Sequence, residues 1–141
     1  MESQGSVQRT FRLTRSTSDL LDQVARHSTE SRNSIADRVL GEGLRTEAHP
    51  AIRFRSGAAG RREPALAGTR LLVRQVVATF TSSGRDVNET ATYLSISPAL
   101  VRAALSYYAD YRAEIDADQA WADAVEDAER QRWEREQALL A

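Results

Sequence analysis

The chain has 141 residues, 41% hydrophobic and 28% charged; no run approaches the roughly 18 to 20 apolar residues that span a bilayer, and the opening MESQGSVQRT lacks the apolar core of a secretory signal. This excludes the disordered and membrane classes and predicts a cytoplasmic protein, while the absence of cysteine removes disulfides, cysteine zinc sites and thiol nucleophiles. The net charge of −1 conceals an asymmetry, because residues 1–85 hold 14 Arg against 8 acids and residues 86–141 hold 5 Arg against 12, which suggests an anionic partner for the front and a cationic or structural role for the back.

All 19 basic residues are arginine, a side chain suited to bidentate contacts with phosphate and guanine and also the product of a GC-rich coding bias. Residues 7–14, VQRTFRLT, alternate: Phe11 and Leu13 fall on one face and Gln8, Thr10 and Arg12 on the other, as in a half-buried strand. Ser16 with Asp19 three positions on starts a first helix, carried by Leu20, Leu21, Val24 and Ala25 to His27 and Ser28. Ser31 caps a second helix, whose stripe of Ile35, Ala36, Val39, Leu40 and Leu44 ends around Gly43.

A lone strand has no hydrogen-bonding partner, and a second copy of the chain would supply one. Two such strands paired antiparallel bury Phe11 and Leu13 over four helices and project Gln8, Thr10 and Arg12 from a ribbon that fits the DNA major groove. The residues RTFRLTRSTSDLLDQVARHSTESRNSIADRVLGEGL, within 7–45, resemble the ribbon-helix-helix repressors of the CopG/Arc-like kind, dimeric bacterial DNA-binding proteins. The resemblance implies base reading by Gln8, Thr10 and Arg12 and a phosphate clamp at Ser31, Arg32 and Asn33. The alternative is a strand-helix-helix fragment of an unrelated α+β core.

Residues 46–50, TEAHP, read as a linker, so that residues 1–48 form a first domain. Beyond it residues 52–55 alternate like a strand, 56–60 form a flexible turn and 61–66 return as the second arm of a hairpin. Leu71, Leu72, Val76, Val77 and Phe80 then carry a helix that Ser83 and Gly84 end. Residues 86–105 have helix-turn-helix spacing: small Ala91 allows close approach, Leu94 and Ile96 fill the elbow, Ser97 and Pro98 start the second helix, and Val101 and Leu105 face inward. A DNA-reading version would present Ala99, Leu100 and Arg102, among which Arg102 alone is a convincing reader; the alternative is a trihelical core or protein-binding surface.

Residues 51–115 resemble a VapB-type antitoxin domain of unknown function encoded beside PIN-like toxins, through Gly68-Thr69-Arg70 and SPALVRAALSYYA at 97–109. Leu71-Leu72 stands where that family has an apolar residue and a proline, which leaves Arg61, Arg62 and Arg70 either on DNA or in solvent. From residue 115 to 141 there is neither glycine nor proline, and the acidic, Ala-rich sequence predicts one long helix. Trp121, Ala124, Val125, Ala128 and Arg132 share a face, while Trp133 lies roughly 120° away. In the resemblance this is the toxin-binding segment, with Trp121, Val125, Arg130, Arg132, Trp133 and Arg135 as contacts. One arginine would enter a carboxylate-lined Mg²⁺ pocket of the ribonuclease; otherwise Arg130 pairs locally with Glu126, or the helix packs on its own dimer.

Catalysis is not expected. Asp116 and Asp118 open no calcium loop, because Trp121 stands where glycine is required; no Gly-rich phosphate loop occurs, and neither His27 nor His49 has a triad context. No cofactor or metal is expected either. The expected fold is mainly α: a dimeric ribbon-helix-helix domain (1–48), a small β-hairpin and helix-turn-helix-like trihelical domain (49–115) and a long C-terminal helix (116–141). The expected function is an antitoxin that neutralises a PIN-like ribonuclease and represses its own operon by binding double-stranded operator DNA, as a homodimer or higher oligomer. The alternative is a stand-alone dimeric ribbon-helix-helix regulator without a toxin.

Overall fold

The computed structural model describes residues 5–141, which form a mainly helical protein with one two-stranded antiparallel sheet. The chain divides into two compact units, residues 1–41 and 42–141. In the first, residues 5–14 belong to no sheet, so the strand expected over 7–14 is not formed within one chain. The reason is physical: a strand is stable only when another edge satisfies its backbone groups, and none lies among the described residues of this unit.

Helix α1 (Arg15–Arg26) starts slightly earlier than the Ser16–Asp19 signal implied, because Thr14 is its cap, accepting from the Thr17 amide at 3.2 Å. Ser31 caps α2 (Arg32–Ala48) as its sequence suggests, accepting from the Ser34 amide at 3.1 Å. Ile35 is the buried side chain of this unit, at 2% exposure. Helix α2 then runs past the expected stop near Gly43, through residues 46–48 of the expected linker. Each glycine costs about 1 kcal/mol in a helix. Offsetting this, Arg45 donates to Glu114 at 2.7 and 2.9 Å, and the Thr46 hydroxyl donates to the Ile52 carbonyl at 3.2 Å, so tertiary contacts hold the last turns.

The second unit opens with the hairpin. Strands β1 (Ile52–Ser56) and β2 (Arg62–Leu66) pair in the register Ile52↔Leu66 to Ser56↔Arg62, close to the arms read from alternation. The turn between them places Ala59 and Gly60 at φ of 57° and 70°, a left-handed pair that glycine accommodates at its second position. Ile52 and Phe54 face the core, while Arg53 and Arg55 face out.

Helix α3 (Val73–Ser82) begins two residues after the first apolar position of its stripe, since the Gln75 side chain accepts from the Leu72 amide at 2.9 Å and fixes the start there. Helix α4 (Val87–Leu94) is capped by Asp86, and Ser97 with Pro98 starts α5 (Pro98–Asp110), as the sequence indicates. Ile52, Leu66, Val73, Val76, Ala91, Val101, Ala104, Tyr107 and Ile115 form the core. Full burial of each large side chain contributes roughly 1.5–3 kcal/mol. Leu100, assigned outward in a DNA-reading version, packs instead against this core, whereas Ala99 and Arg102 are exposed.

Helix α6 (Arg112–Leu140) is the long tail helix, anchored by Ile115 at 1% exposure. From residue 123 onward every side chain is exposed. No helix among the described residues is long and apolar enough to cross a membrane.

Helix α2 supplies a direct test of this balance. A Cβ at Gly43 would meet nothing within 4 Å, so Gly43→Ala should raise the unfolding free energy by about 0.5–1 kcal/mol in urea titrations. An unchanged or lower midpoint would show that the glycine is required by something other than the helix.

Candidate nucleic-acid interface and partner-binding helix

At the N-terminal surface, Gln8, Thr10 and Arg12 are all exposed on the irregular segment leading into α1. Arg9, Arg12 and Arg15 occur there with no acid between residues 5 and 18, so the segment is locally cationic. Phe11 and Leu13, alternating with these polar residues, are 63% and 54% exposed. Leu20 and Val24 on α1 and Val39 and Leu40 on α2 are exposed as well. The first unit thus presents both of the faces that the alternation separates, one polar and cationic, the other apolar and uncovered.

At the start of α2, Ser31, Arg32 and Asn33 are exposed in the first helical turn, where backbone N–H groups lack intrahelical acceptors and attract anions. Ser31 spends its hydroxyl oxygen on the cap, and Arg32 pairs with Asp22 at 2.8 Å. The guanidinium is therefore held toward α1, and backbone amides remain the groups best placed to meet a phosphate. Both ends of that ion pair are exposed, so a phosphate would compete for Arg32 at little cost.

On the tail, the six residues expected to meet a partner separate into two sets. Trp121 is half-buried: the Arg61 guanidinium lies 4.6 Å above its ring while pairing with Asp118 at 2.7 Å. Arg61 is thereby held against α6, half-buried. Val125, Arg130, Arg132, Trp133 and Arg135 are exposed, Trp133 to 59%. Arg130 pairs with Asp127 one turn back at 2.8 Å, rather than with Glu126 as the spacing suggested. At 100° per residue Val125, Arg132, Arg135 and Leu139 share one side of the helix, and Trp133 and Leu140 the adjacent side.

A further cluster was not legible from any motif. The Arg45 guanidinium donates to Glu114 and to the Tyr107 hydroxyl at 3.3 Å, and lies 4.7 Å over the Tyr111 ring. The His49 ring meets Tyr107 edge-on at 5.2 Å, and its Nε2 is 2.8 Å from Asp110. Burial raises the Glu114 carboxyl above its usual range, against the pull of Arg45. Burial likewise pushes the Tyr107 phenol up to about 12, helped by the neighbouring Glu114 charge and opposed by Arg45. The partners stand 62 to 69 residues from Arg45, so no local spacing signals them. His49, read as part of a linker, is a packed member of this cluster.

Compared with protein-family models, with curated proteins and with solved structures, the chain matches none.

The Tyr107 phenol has a definite consequence for stability. It keeps its proton longer in the folded chain than in the unfolded one, so its contribution is complete below pH 10 and is lost as pH rises through about 12. Absorbance titration should show one of the four tyrosines ionising near pH 12, and Tyr107→Phe should remove that step. If the variant leaves the last step in place, Tyr107 is not the shielded phenol.

Proposed function

We propose that this chain is a dimeric DNA-binding antitoxin, which reads its own operator with a ribbon-helix-helix domain and holds a PIN-like ribonuclease with its C-terminal helix. The observation that carries the first half is the uncovered apolar face of residues 7–40, with Phe11, Leu13, Leu20, Val24, Val39 and Leu40 exposed around one buried residue, Ile35. A unit of this size with so little buried cannot offset its chain entropy alone. A second copy pairing strand to strand would cover Phe11 and Leu13 and satisfy the backbone of residues 7–14 together. The resulting ribbon would carry Gln8, Thr10 and Arg12 on its outer side, with Ser31, Arg32 and Asn33 at the phosphates.

Support for the second half is α6 beyond residue 123, a helix with Val125, Trp133, Leu139 and Leu140 exposed beside Arg132 and Arg135. Large apolar side chains on a projecting helix fit a partner groove, with Trp and Arg as its anchors. Trp121 contributes less on this account, because Arg61 already covers it. Simultaneous binding of toxin and operator would couple the two affinities.

Two experiments test the halves separately. Arg12→Ala should weaken binding to the operator by about 1–3 kcal/mol and leave random duplex nearly unaffected in gel-shift titrations; an equal loss on both would reduce Arg12 to a phosphate contact. Co-expression with the adjacent open reading frame should relieve that product's toxicity and yield one complex, and deletion of residues 124–141 should abolish both while leaving the fold intact. A harmless, non-binding neighbour would leave the stand-alone regulator as the better account.

A further inference from the structure

We infer that the outer face of the β1–β2 hairpin is a second DNA-contacting surface, which holds backbone phosphates through Arg53, Arg55 and Arg70. The inference extends the DNA-binding half of the proposal above to residues 42–141 and rests on that reading for the identity of the polyanion. Arg53 and Arg55 alternate with the core-facing Ile52 and Phe54, so they project from the same side of β1, about 6.6 Å apart along the strand. Arg55 reaches across to residue 70, donating to its backbone carbonyl at 2.9 Å, so the main chain of Arg70 adjoins this face and its side chain is exposed.

What separates these three from their neighbours is the company each keeps. Arg61 pairs with Asp118 and Arg62 with Glu42, both at 2.7 Å. Arg53 donates only to the Pro50 and Ile52 carbonyls, both at 2.8 Å, and Arg55 only to that of Arg70. Among the described residues no carboxylate pairs with Arg53, Arg55 or Arg70. The acid opposite Arg55 in the ladder is Glu63, whose carboxylate occupies the space a Cβ at Gly57 would need and, among the described residues, forms no ion pair. A guanidinium carries five N–H donors, so anchoring by one or two leaves Arg53 and Arg55 oriented and still able to donate.

The surroundings favour phosphates over a protein partner. Between residues 45 and 92 no large hydrophobic side chain is exposed, so this face lacks the apolar centre that a protein interface needs. Cations held on a rigid hairpin without an apolar centre suit the sugar-phosphate backbone, which requires charge and position but no sequence reading.

The test is fluorescence anisotropy of the full chain on a random-sequence duplex across a salt series. Arg53→Ala/Arg55→Ala/Arg70→Ala should weaken binding at least about tenfold at low salt and reduce the slope of log K against log salt by about 0.9 for each phosphate no longer neutralised. The corresponding triple lysine variant should retain most of the slope. Arg74→Ala/Arg85→Ala/Arg112→Ala removes the same charge at positions with no proposed contact and should change the slope far less. Arg70→Ala alone, whose side chain makes no hydrogen bond among the described residues, should reproduce part of the loss even if the triple variant folds poorly. An unchanged slope, or an equal loss in the control triple, overturns the inference. Lost copurification with a protein partner at unchanged DNA slope also overturns it and assigns the arginines to an acidic protein surface. If the triple variant loses random-duplex binding while no operator is preferred and Arg12→Ala has no effect, the hairpin surface stands and the repressor reading fails. If the slope is unchanged while Arg12→Ala abolishes operator preference, the reverse holds, and a chain that binds no duplex at all overturns both.

Discussion

Arg45 occupies the point on which the second unit's architecture turns. Its guanidinium joins the end of α2 to Glu114 on α6 and to Tyr107 on α5, while its plane lies over Tyr111 at the junction between those two helices. A charge so placed is stable only with its partners present, because a half-buried carboxylate or guanidinium left alone loses hydration without compensation. The same contact holds the end of α2 beyond Gly41 and Gly43, where Thr46 and His49 are half-buried and Glu47 and Ala48 exposed. Once α2 is fixed at its last turn, Thr46 can donate to Ile52 and the hairpin is positioned over the core.

The two units differ in what they bury. Residues 42–141 enclose a continuous core from the hairpin, α3, α4, α5 and the first turns of α6, with Val73, Val76, Val101, Ala104 and Tyr107 fully buried. Residues 5–41 bury Ile35, half-bury Leu21 and Ala25, and leave Leu20, Val24, Val39 and Leu40 exposed. Amphipathic helices are stable because one face leaves water. The second copy proposed above would supply this unit with both apolar area and a strand edge.

The arginines divide by the same logic. Arg45, Arg61 and Arg62 pair with carboxylates distant in sequence and join elements of the second unit, whereas the pairs of Arg32 and Arg130 are exposed. Arg12, Arg53, Arg55, Arg70, Arg132 and Arg135 pair with no carboxylate among the described residues, and they lie on the surfaces proposed for DNA or a partner protein. Because lysine is absent, charge alone does not separate the arginines that join elements of the fold from the rest; a carboxylate partner from a distant part of the chain does.

Much of the local structure was legible in the order of residues. Alternation over 52–55 marked the hairpin, Ser31 and Ser97 marked two helix starts, and the absence of glycine and proline after 115 marked the tail helix. These signals work because caps, turns and apolar periods act within a few residues of one another. Three features did not follow from local pattern. Residues 7–14 form no ladder because pairing requires a strand edge, and none lies among the described residues of the first unit; α2 outlasted two glycines because residues more than sixty positions away hold its end; and Trp121 was drawn inward by Arg61 and Asp118. The sequence by itself determined the helices, the hairpin strands and which faces are apolar, since those depend on neighbouring side chains. Only the tertiary structure decided which arginines are neutralised, which aromatic rings are covered and which helix ends persist, because those depend on groups that folding alone brings within a few ångströms.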